Sequence, residues 1–447
     1  MRTHLFFFAF FVALILPAAA WAHVNSPDVY YDGNAGPYHL LVTVRPPAVV
    51  PGIAQIQIRS AANDIDKIEI LPLKMVGTAA KLAPRADATE RSSSDPQLFT
   101  GSLWIMERGS WKVQVRAEGA KGAGELAVPL PAVSASSPKM QTALGALLAL
   151  LGFALTAGII GIIGAAGREA SLEPGQDATL SQRKRAYRRM SVGTVCMIAV
   201  LVAANYWWGV DASANARLNY KMPHAQSSLQ AGNVLQLRLD NPNTLENMFT
   251  PTDLERIKRL NVKIPDVPRL DDLIPDHGHI MHLFLVRMPD MQSFWHLHPE
   301  QAGEGQFGDH LPSLPAGHYQ IYADIVHQTG FPETEVSTID LAAITGPALQ
   351  GDDSGGANLA AADDVAQLSD GYRMVWDRDR QPLKANQPIW FRFRVEDKAG
   401  KLADLEPYMG MAGHAAFISA DGSIFAHVHP AGSVSMAAVA LAENAAQ

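Results

Sequence analysis

Cysteine is almost missing from this sequence: 447 residues contain only Cys196. No disulfide can form within the chain, so any part of it in an oxidising compartment relies on packed cores or on bound metal. Positive charge is also short. Lys and Arg number 36 against 44 Asp and Glu, for a formal net charge of −8. Without a long basic patch there is no footprint for nucleic acid, and none is expected as a partner. Charge of either sign is absent from 140–167 and from 190–210. No nucleophile and base, and no pair of carboxylates, stand in a recognisable catalytic spacing, so a binding protein is favoured over an enzyme.

What is there begins with apolar runs. Residues 1–22 read as a secretory signal peptide: Arg2, an apolar core from Leu5 to Leu16, and small residues up to Ala22. The uncharged runs 140–167 and 190–210 each reach the roughly 20 residues needed to cross a hydrocarbon core. Between them, 168–189 holds Arg183-Lys-Arg-Ala-Tyr-Arg-Arg189, and such a basic loop is expected on the cytoplasmic side. Tyr206-Trp207-Trp208 then falls where an outer aromatic belt belongs. Small residues in the first span, Ala154, Ala157, Gly158, Gly161 and Ala165, are spaced to let two helices approach. Both flanking regions are placed outside the cytoplasm, on the periplasmic side of an inner membrane. With two spans and no charge inside them, transport by this chain alone is not expected, whereas a subunit of a transporter stays open.

Residues 23–130 alternate as half-buried strands do. Ile56 and Ile58 interleave with Gln55 and Gln57, and Trp111, Val113 and Val115 interleave with Lys112, Gln114 and Arg116. Turns at Asp32-Gly33, Pro46-Pro47, Pro51-Gly52 and Arg108-Gly109 complete the pattern of an exported β-sandwich, followed by a linker over 131–139. The order of Tyr38-His-Leu-Leu-Val-Thr-Val44 and Phe99 to Val115 resembles the YtkA-like (FixH-like) family of small exported immunoglobulin-like sandwiches. That resemblance implies a fold and a setting near the membrane, often connected with metal or respiratory-protein handling, and no active site.

Beyond the spans the chain repeats itself. His296-Leu-His-Pro299 recurs as His427-Val-His-Pro430, Leu273-x-Pro275 recurs as Leu405-x-Pro407, and His282 and His414 each stand seven residues after the proline. Gly278 and Gly410 are in register. The first copy is assigned to 211–341, with a polar insertion from Asn241 to Pro275. A flexible linker is assigned to 342–371 and the second copy to 372–447. The second copy ends 17 residues after Pro430, so it is expected to lack its last strands, either because the gene product is truncated or because copy one or another chain completes it. The expected fold class is therefore mainly β: exported immunoglobulin-like or cupredoxin-like β-sandwiches joined by a two-helix transmembrane hairpin.

On a strand, residues i and i+2 share a face, so His296 with His298, and His427 with His429, project as pairs. His282 and His414 on the preceding strands can add a third imidazole to each pair. His277 and His279 occupy the places of Met409 and Met411, and imidazole and thioether have copper in common as a ligand preference. Met281, Met288 and Met291 add sulfur nearby. No cysteine and few carboxylates accompany the set, which disfavours structural zinc and calcium. The candidate metal ligands are His277, His279, His282, His296, His298, Met409, Met411, His414, His427 and His429, with copper as the cofactor. The duplicated His-x-His-Pro unit resembles periplasmic copper-binding sandwiches. This implies a membrane-anchored protein that binds copper or passes it between donor and acceptor proteins.

Two other readings stand beside it. His296-x-His298, Glu304 and Pro315-Ala-Gly-His318 resemble the two-part signature of cupins, with Glu304 late and His318 directly after the glycine, which would make the protein a mononuclear copper enzyme. A structural or assembly subunit of a membrane complex would use the histidines only for packing. His23, amino-terminal if cleavage follows Ala22, can chelate copper with His39, and His224 lies just outside the second span.

Overall fold

The computed structural model describes residues 28–75, 84–137, 140–170, 172–173, 175–261, 269–357, 364–368, 371–378, 380–384 and 389–444. The expected signal peptide and His23 lie outside the described residues. The chain is mostly β, with several antiparallel sheets and two long apolar helices. It divides into two compact units, one formed by the described residues of 1–133, 221–247 and 264–447 and the other by those of 134–220 and 248–263.

The first unit opens with β1 (Val29–Ala35), β2 (Tyr38–Arg45), β3 (Gly52–Ser60), β4 (Ile65–Lys74), β5 (Asp87–Ala88), β6 (Glu90–Arg91), β7 (Leu98–Ile105), β8 (Gly109–Gly119) and β9 (Gly122–Ala132). They form two antiparallel sheets, β1-β2-β3-β7-β6 and β5-β4-β8-β9. Both contribute to one core: Leu40, Val42, Ile56 and Ile58 from the first meet Ile68, Ile70, Val113 and Val115 from the second. The strict alternation along β2 and β3 is the strand period of two with one face buried.

The second unit holds α1 (Thr142–Glu169) and α2 (Leu180–Arg217), each long and apolar enough to cross a membrane. The basic segment Arg183–Arg189, expected as a loop, is instead helical. Thr179 caps α2 reciprocally with Gln182, so the helix starts before the charges. At 1.5 Å per residue, 38 residues reach about 57 Å, far beyond a ~30 Å hydrocarbon layer. The basic start and the polar end of α2 therefore fall in or beyond the headgroup region of any bilayer it crosses. The helices meet through glycines other than those expected: Gly164 lies against Met190 and Gly167 against Ala186, while nothing approaches Gly158 or Gly161. The expected polar insertion carries two short helices, α3 (Leu245–Met248) and α4 (Pro251–Leu260).

Repeat 1 contains β10 (His224–Gln230), β11 (Val234–Asp240), β12 (Met281–Met288), β13 (Phe294–Leu297), β14 (Glu300–Gly303), β15 (Gln306–His310), β16 (Gly317–Val326), β17 (Pro332–Leu341) and β18 (Ser354–Gly356). These make sheets β10-β11-β15-β14 and β17-β16-β12-β13-β18 around a core that includes Leu235, Leu237, Phe307, Leu283, Leu285 and Ile321. The assigned linker is a correction. Ile344 is part of that core and exchanges backbone hydrogen bonds with Leu314, and β18 pairs with β13, so 342–357 belongs to repeat 1.

Repeat 2 is built differently. Its described residues form a three-stranded sheet, β19 (Val365–Gln367), β20 (Arg373–Asp377) and β21 (Arg392–Glu396), and a separate hairpin, β22 (Ala415–Ile418) with β23 (Phe425–Val428). An isolated hairpin is marginal in water, and this one acquires a core from its neighbour. Phe425 stacks on Tyr322 at 4.4 Å and lies 5.0 Å from Phe284, so the hairpin covers the second face of β12 and β16.

The chain after Pro430 completes the unit. Asp32 N donates to Ala431 O and Ser433 N to Tyr30 O, extending the first sheet at its edge strand β1. Helix α5 (Met436–Asn444) then packs on β9, and Lys112 Nζ donates to Ala442 O at 2.8 Å. This explains why Lys112, expected on a solvated face, is 1% exposed. Gly432 sits at φ +109° with the Tyr30 carbonyl 2.1 Å from where a Cβ would be. Gly432→Ala should therefore undock the tail at a cost of about 2 kcal/mol or more, read as faster amide hydrogen exchange across 431–444. Unchanged protection there would show that this edge pairing does not hold the tail.

Candidate metal centre

Because β12 alternates, Met281, Leu283 and Leu285 enter the core of repeat 1 while His282 and Phe284 face the hairpin of repeat 2. In β13, His296 is directly opposite Phe284 and stacks on its ring at 4.4 Å. In repeat 2, His427 holds the corresponding position opposite Ala416. The two His-x-His pairs adopt one geometry, with ring centroids 4.6 Å apart in each.

A second shared element is the turn before each set. Asp276 and His279 exchange backbone hydrogen bonds around His277 at φ +50° and Gly278 at φ +89°. Tyr408 and Met411 do the same around Met409 at +52° and Gly410 at +78°. Two successive positive φ values define a type I′ turn, which glycine accepts readily at the second position and His or Met adopts at some strain at the first. The turns bring residue 277 toward the other repeat: His277 lies 5.1 Å, ring to ring, from both His414 and His429.

The outcome is one cluster of imidazoles between the repeats. Ligand atoms of His277, His414 and His429 lie within 4.8 Å of one another, and so do those of His282, His296 and His298. His427 adjoins both groups, 4.6 Å from His429 and 5.5 Å from His282 by ring centroids. His279 stacks on His298 at 3.9 Å.

Three of these rings are held by one nitrogen and bare at the other. His298 Nδ1 bonds Asp353 at 3.0 Å, His427 Nδ1 bonds Asp324 at 3.2 Å, and His429 Nδ1 donates to Val434 O at 3.1 Å. The Nε2 atoms of these three, with His277 Nε2 and both nitrogens of His414, are buried without a hydrogen-bond partner. His282 donates through Nε2 to Asp276 O, and Tyr408 Oη donates to Asp352 O, which leaves Tyr408 to accept from His296 Nδ1. Those tautomers place two lone pairs face to face, His282 Nδ1 and His296 Nε2, at 3.0 Å. Two imidazoles on one ion at ~2.0 Å have their nitrogens about 2.8 to 3.3 Å apart. Anchoring of the distal nitrogen is also how proteins orient metal-binding histidine.

Electrostatics favour the neutral form of six of these rings. Burial, then the neighbouring imidazoles, lowers His282 and His429 to about 2 and His414 to about 3. His296, His277 and His298 are lowered too, with burial the largest cause in each.

Of the ten expected ligands, eight histidines are therefore together. Met409 and Met411 lie in the turn closed by the Tyr408–Met411 backbone hydrogen bonds. Met281 is spent in the repeat 1 core, and Met288 and Met291 pack beside Phe284 and Phe425. The cupin-like set is not assembled: Glu304 is exposed, and His318 pairs with Asp340 on β17, six residues along β16 from Asp324. His39 is engaged by Asn34 and Asp32, and His224 is exposed on β10. Sequence reasoning did not single out Asp276, Asp324, Asp352, Asp353 or Tyr408. Their only signal was the Asp352-Asp353 pair inside an apparently solvated linker.

The model of a domain of unknown function (DUF8832) matches residues 366–445, which is repeat 2 with its tail. No curated protein matches the chain. Among solved structures, an engineered protein is 13% identical with a TM-score of 0.17, covering 21% of this chain and 20% of that one. This chain thus spans about a fifth of that protein. The FN1–FN3 domains of chicken CNTN1 are 9% identical with a TM-score of 0.16, covering 80% of this chain and 85% of that fragment. Scores so low carry no argument about fold.

Acid should destabilise the metal-free protein. His282, His296 and His429 are neutral when folded, whereas their unfolded forms bind a proton below about pH 6.5, so stability falls as pH drops below that value. Each group contributes about 1.4 kcal/mol between pH 7.5 and 5.5, or roughly 4 kcal/mol for three. Denaturant midpoints of chelator-treated protein at pH 7.5 and 5.5 test this, and equal midpoints would contradict a neutral buried cluster.

Proposed function

We propose that this chain is a membrane-anchored extracytoplasmic copper-binding protein that buffers the metal or delivers it to a partner. The observation that carries the reading is the set of bare, buried imidazole nitrogens. Six of them have no partner. Left unmade, such bonds cost about 1 to 3 kcal/mol each, or roughly 6 to 18 kcal/mol together, as much as the entire stability of an ordinary domain. A bound cation removes that cost.

Copper is favoured among metals by the all-imidazole donor set, by the lack of cysteine, and by the histidine-to-methionine exchange at two matched turn positions. In this reading α1 and α2 form a transmembrane hairpin with Arg183–Arg189 on the cytoplasmic side, which leaves the N-terminal region and both repeats in the periplasm. The N-terminal sheets are then a YtkA-like, immunoglobulin-like sandwich, and repeat 1 is a cupredoxin-like one. Donor or acceptor proteins, or a transporter, would be the partners.

Titration of full-length protein in detergent with Cu(I), Cu(II) and Zn(II) tests this, beside the variant with Ala at His296, His298, His427 and His429. Tight copper binding that the variant loses is expected. A folded wild-type protein that binds no metal would leave the histidines as a packed interface of an assembly subunit. Asp353→Asn, which weakens the anchor of His298, should lower copper affinity about 10- to 100-fold.

A further inference from the structure

The number of bare nitrogens exceeds what one ion can use. An imidazole-bound copper or zinc ion takes three or four nitrogens. The centre offers seven inward-facing rings: three in each close group, and His427 beside both. One ion would still leave at least three of them without a metal.

Geometry separates the rings into two sets without separating the sets. Within each set the ligand atoms lie within 4.8 Å. Between them, ring centroids of His277 and His282 are 6.2 Å apart, and those of His296 and His414 are 6.3 Å apart. Charge is in place for more than one cation. Asp353 and Asp324 bond the outer nitrogens of His298 and His427, Asp352 bonds His279, and Asp276 lies 4.0 Å from His277. Four carboxylates around neutral ligands are more than a single copper ion needs for compensation.

We propose that the centre is dinuclear, with one copper ion on His277, His414 and His429, a second on His282, His296 and His298, and His427 between them. The inference rests on the copper reading above and goes beyond it in nuclearity and in assigning one of the two ions to ligands from both repeats. The first ion thus ties His277 of repeat 1 to repeat 2, while the second is held by repeat 1 alone.

The test uses the full-length protein in detergent micelles, saturated separately with Cu(I) and Cu(II) and freed of excess. Copper per chain is measured by mass spectrometry, and the electron paramagnetic resonance signal of the Cu(II) form is integrated. Two copper ions per chain are expected with either oxidation state, with a Cu(II) spin count well below two or a half-field transition from a coupled pair. The variants His298→Gln and His414→Gln should each fall to one ion per chain, with a normal isolated Cu(II) signal. Saturation of wild-type protein at one ion per chain overturns the dinuclear assignment and leaves copper binding standing. Two ions with a full, unbroadened spin count also overturn it, because the sites would then be remote. No copper in a folded protein overturns the copper reading itself.

Discussion

An imidazole nitrogen buried without a partner is among the costlier things a small core can contain, and this molecule buries several against one another. Most of the architecture around them serves to make that arrangement possible. The outer nitrogens of His282, His296, His298, His427 and His429 are bonded to a carboxylate, a carbonyl or the Tyr408 hydroxyl, which fixes tautomers and turns lone pairs inward. Phe284 stacks on His296, and Phe425 and Tyr322 close the floor, so the surroundings are apolar enough to hold the rings neutral. The duplicated hairpin lies on β12 because that surface supplies both its missing core and its histidine partners.

Duplication explains how one chain assembles so many donors, but the two copies are not equal. Each retains the type I′ turn, the third histidine and the His-x-His pair. They diverge at the first turn position, where His277 has Met409 as its counterpart, and His277 is the residue that crosses to the opposite repeat. A copy with methionine there supplies no ring at that position. The centre is thus an interface between repeats, and the spacing of either copy alone does not describe it.

The histidines were legible in the sequence because strand periodicity and repetition are local signals. The same-face pairs, the preceding-strand histidine and the turn glycines all follow from period two and a repeated spacing. Alternation in β3 and β8 pointed to the N-terminal sheets in the same way. What was not legible is long-range. Nothing near Asp352 and Asp353 distinguishes two carboxylates that orient histidines from two that solvate a linker, since the difference lies in β18 pairing with β13. Lys112 has the pattern of a solvent-facing residue and is buried by a helix 330 positions away. The basic segment before the second apolar run reads as a loop by charge alone, and becomes helix because Thr179 supplies a cap ahead of it.

The C-terminal segment joins these elements into one unit. His429 donates to the Val434 carbonyl, and Asp276, the first residue of the His277 turn, accepts from Ala437 N in the first turn of α5. Three residues before Val434 the same segment begins its pairing with β1, and four residues after it α5 is in the N-terminal core through Ala438. Neither His429 nor the tail can be displaced without breaking a hydrogen bond to the other. Since His429 is buried with Nε2 bare, whatever fixes that nitrogen also fixes the acceptor at Val434. The site and the edge of the N-terminal sheet are therefore secured by the same short stretch of chain, and the position of the tail is a local consequence of how the imidazoles are satisfied.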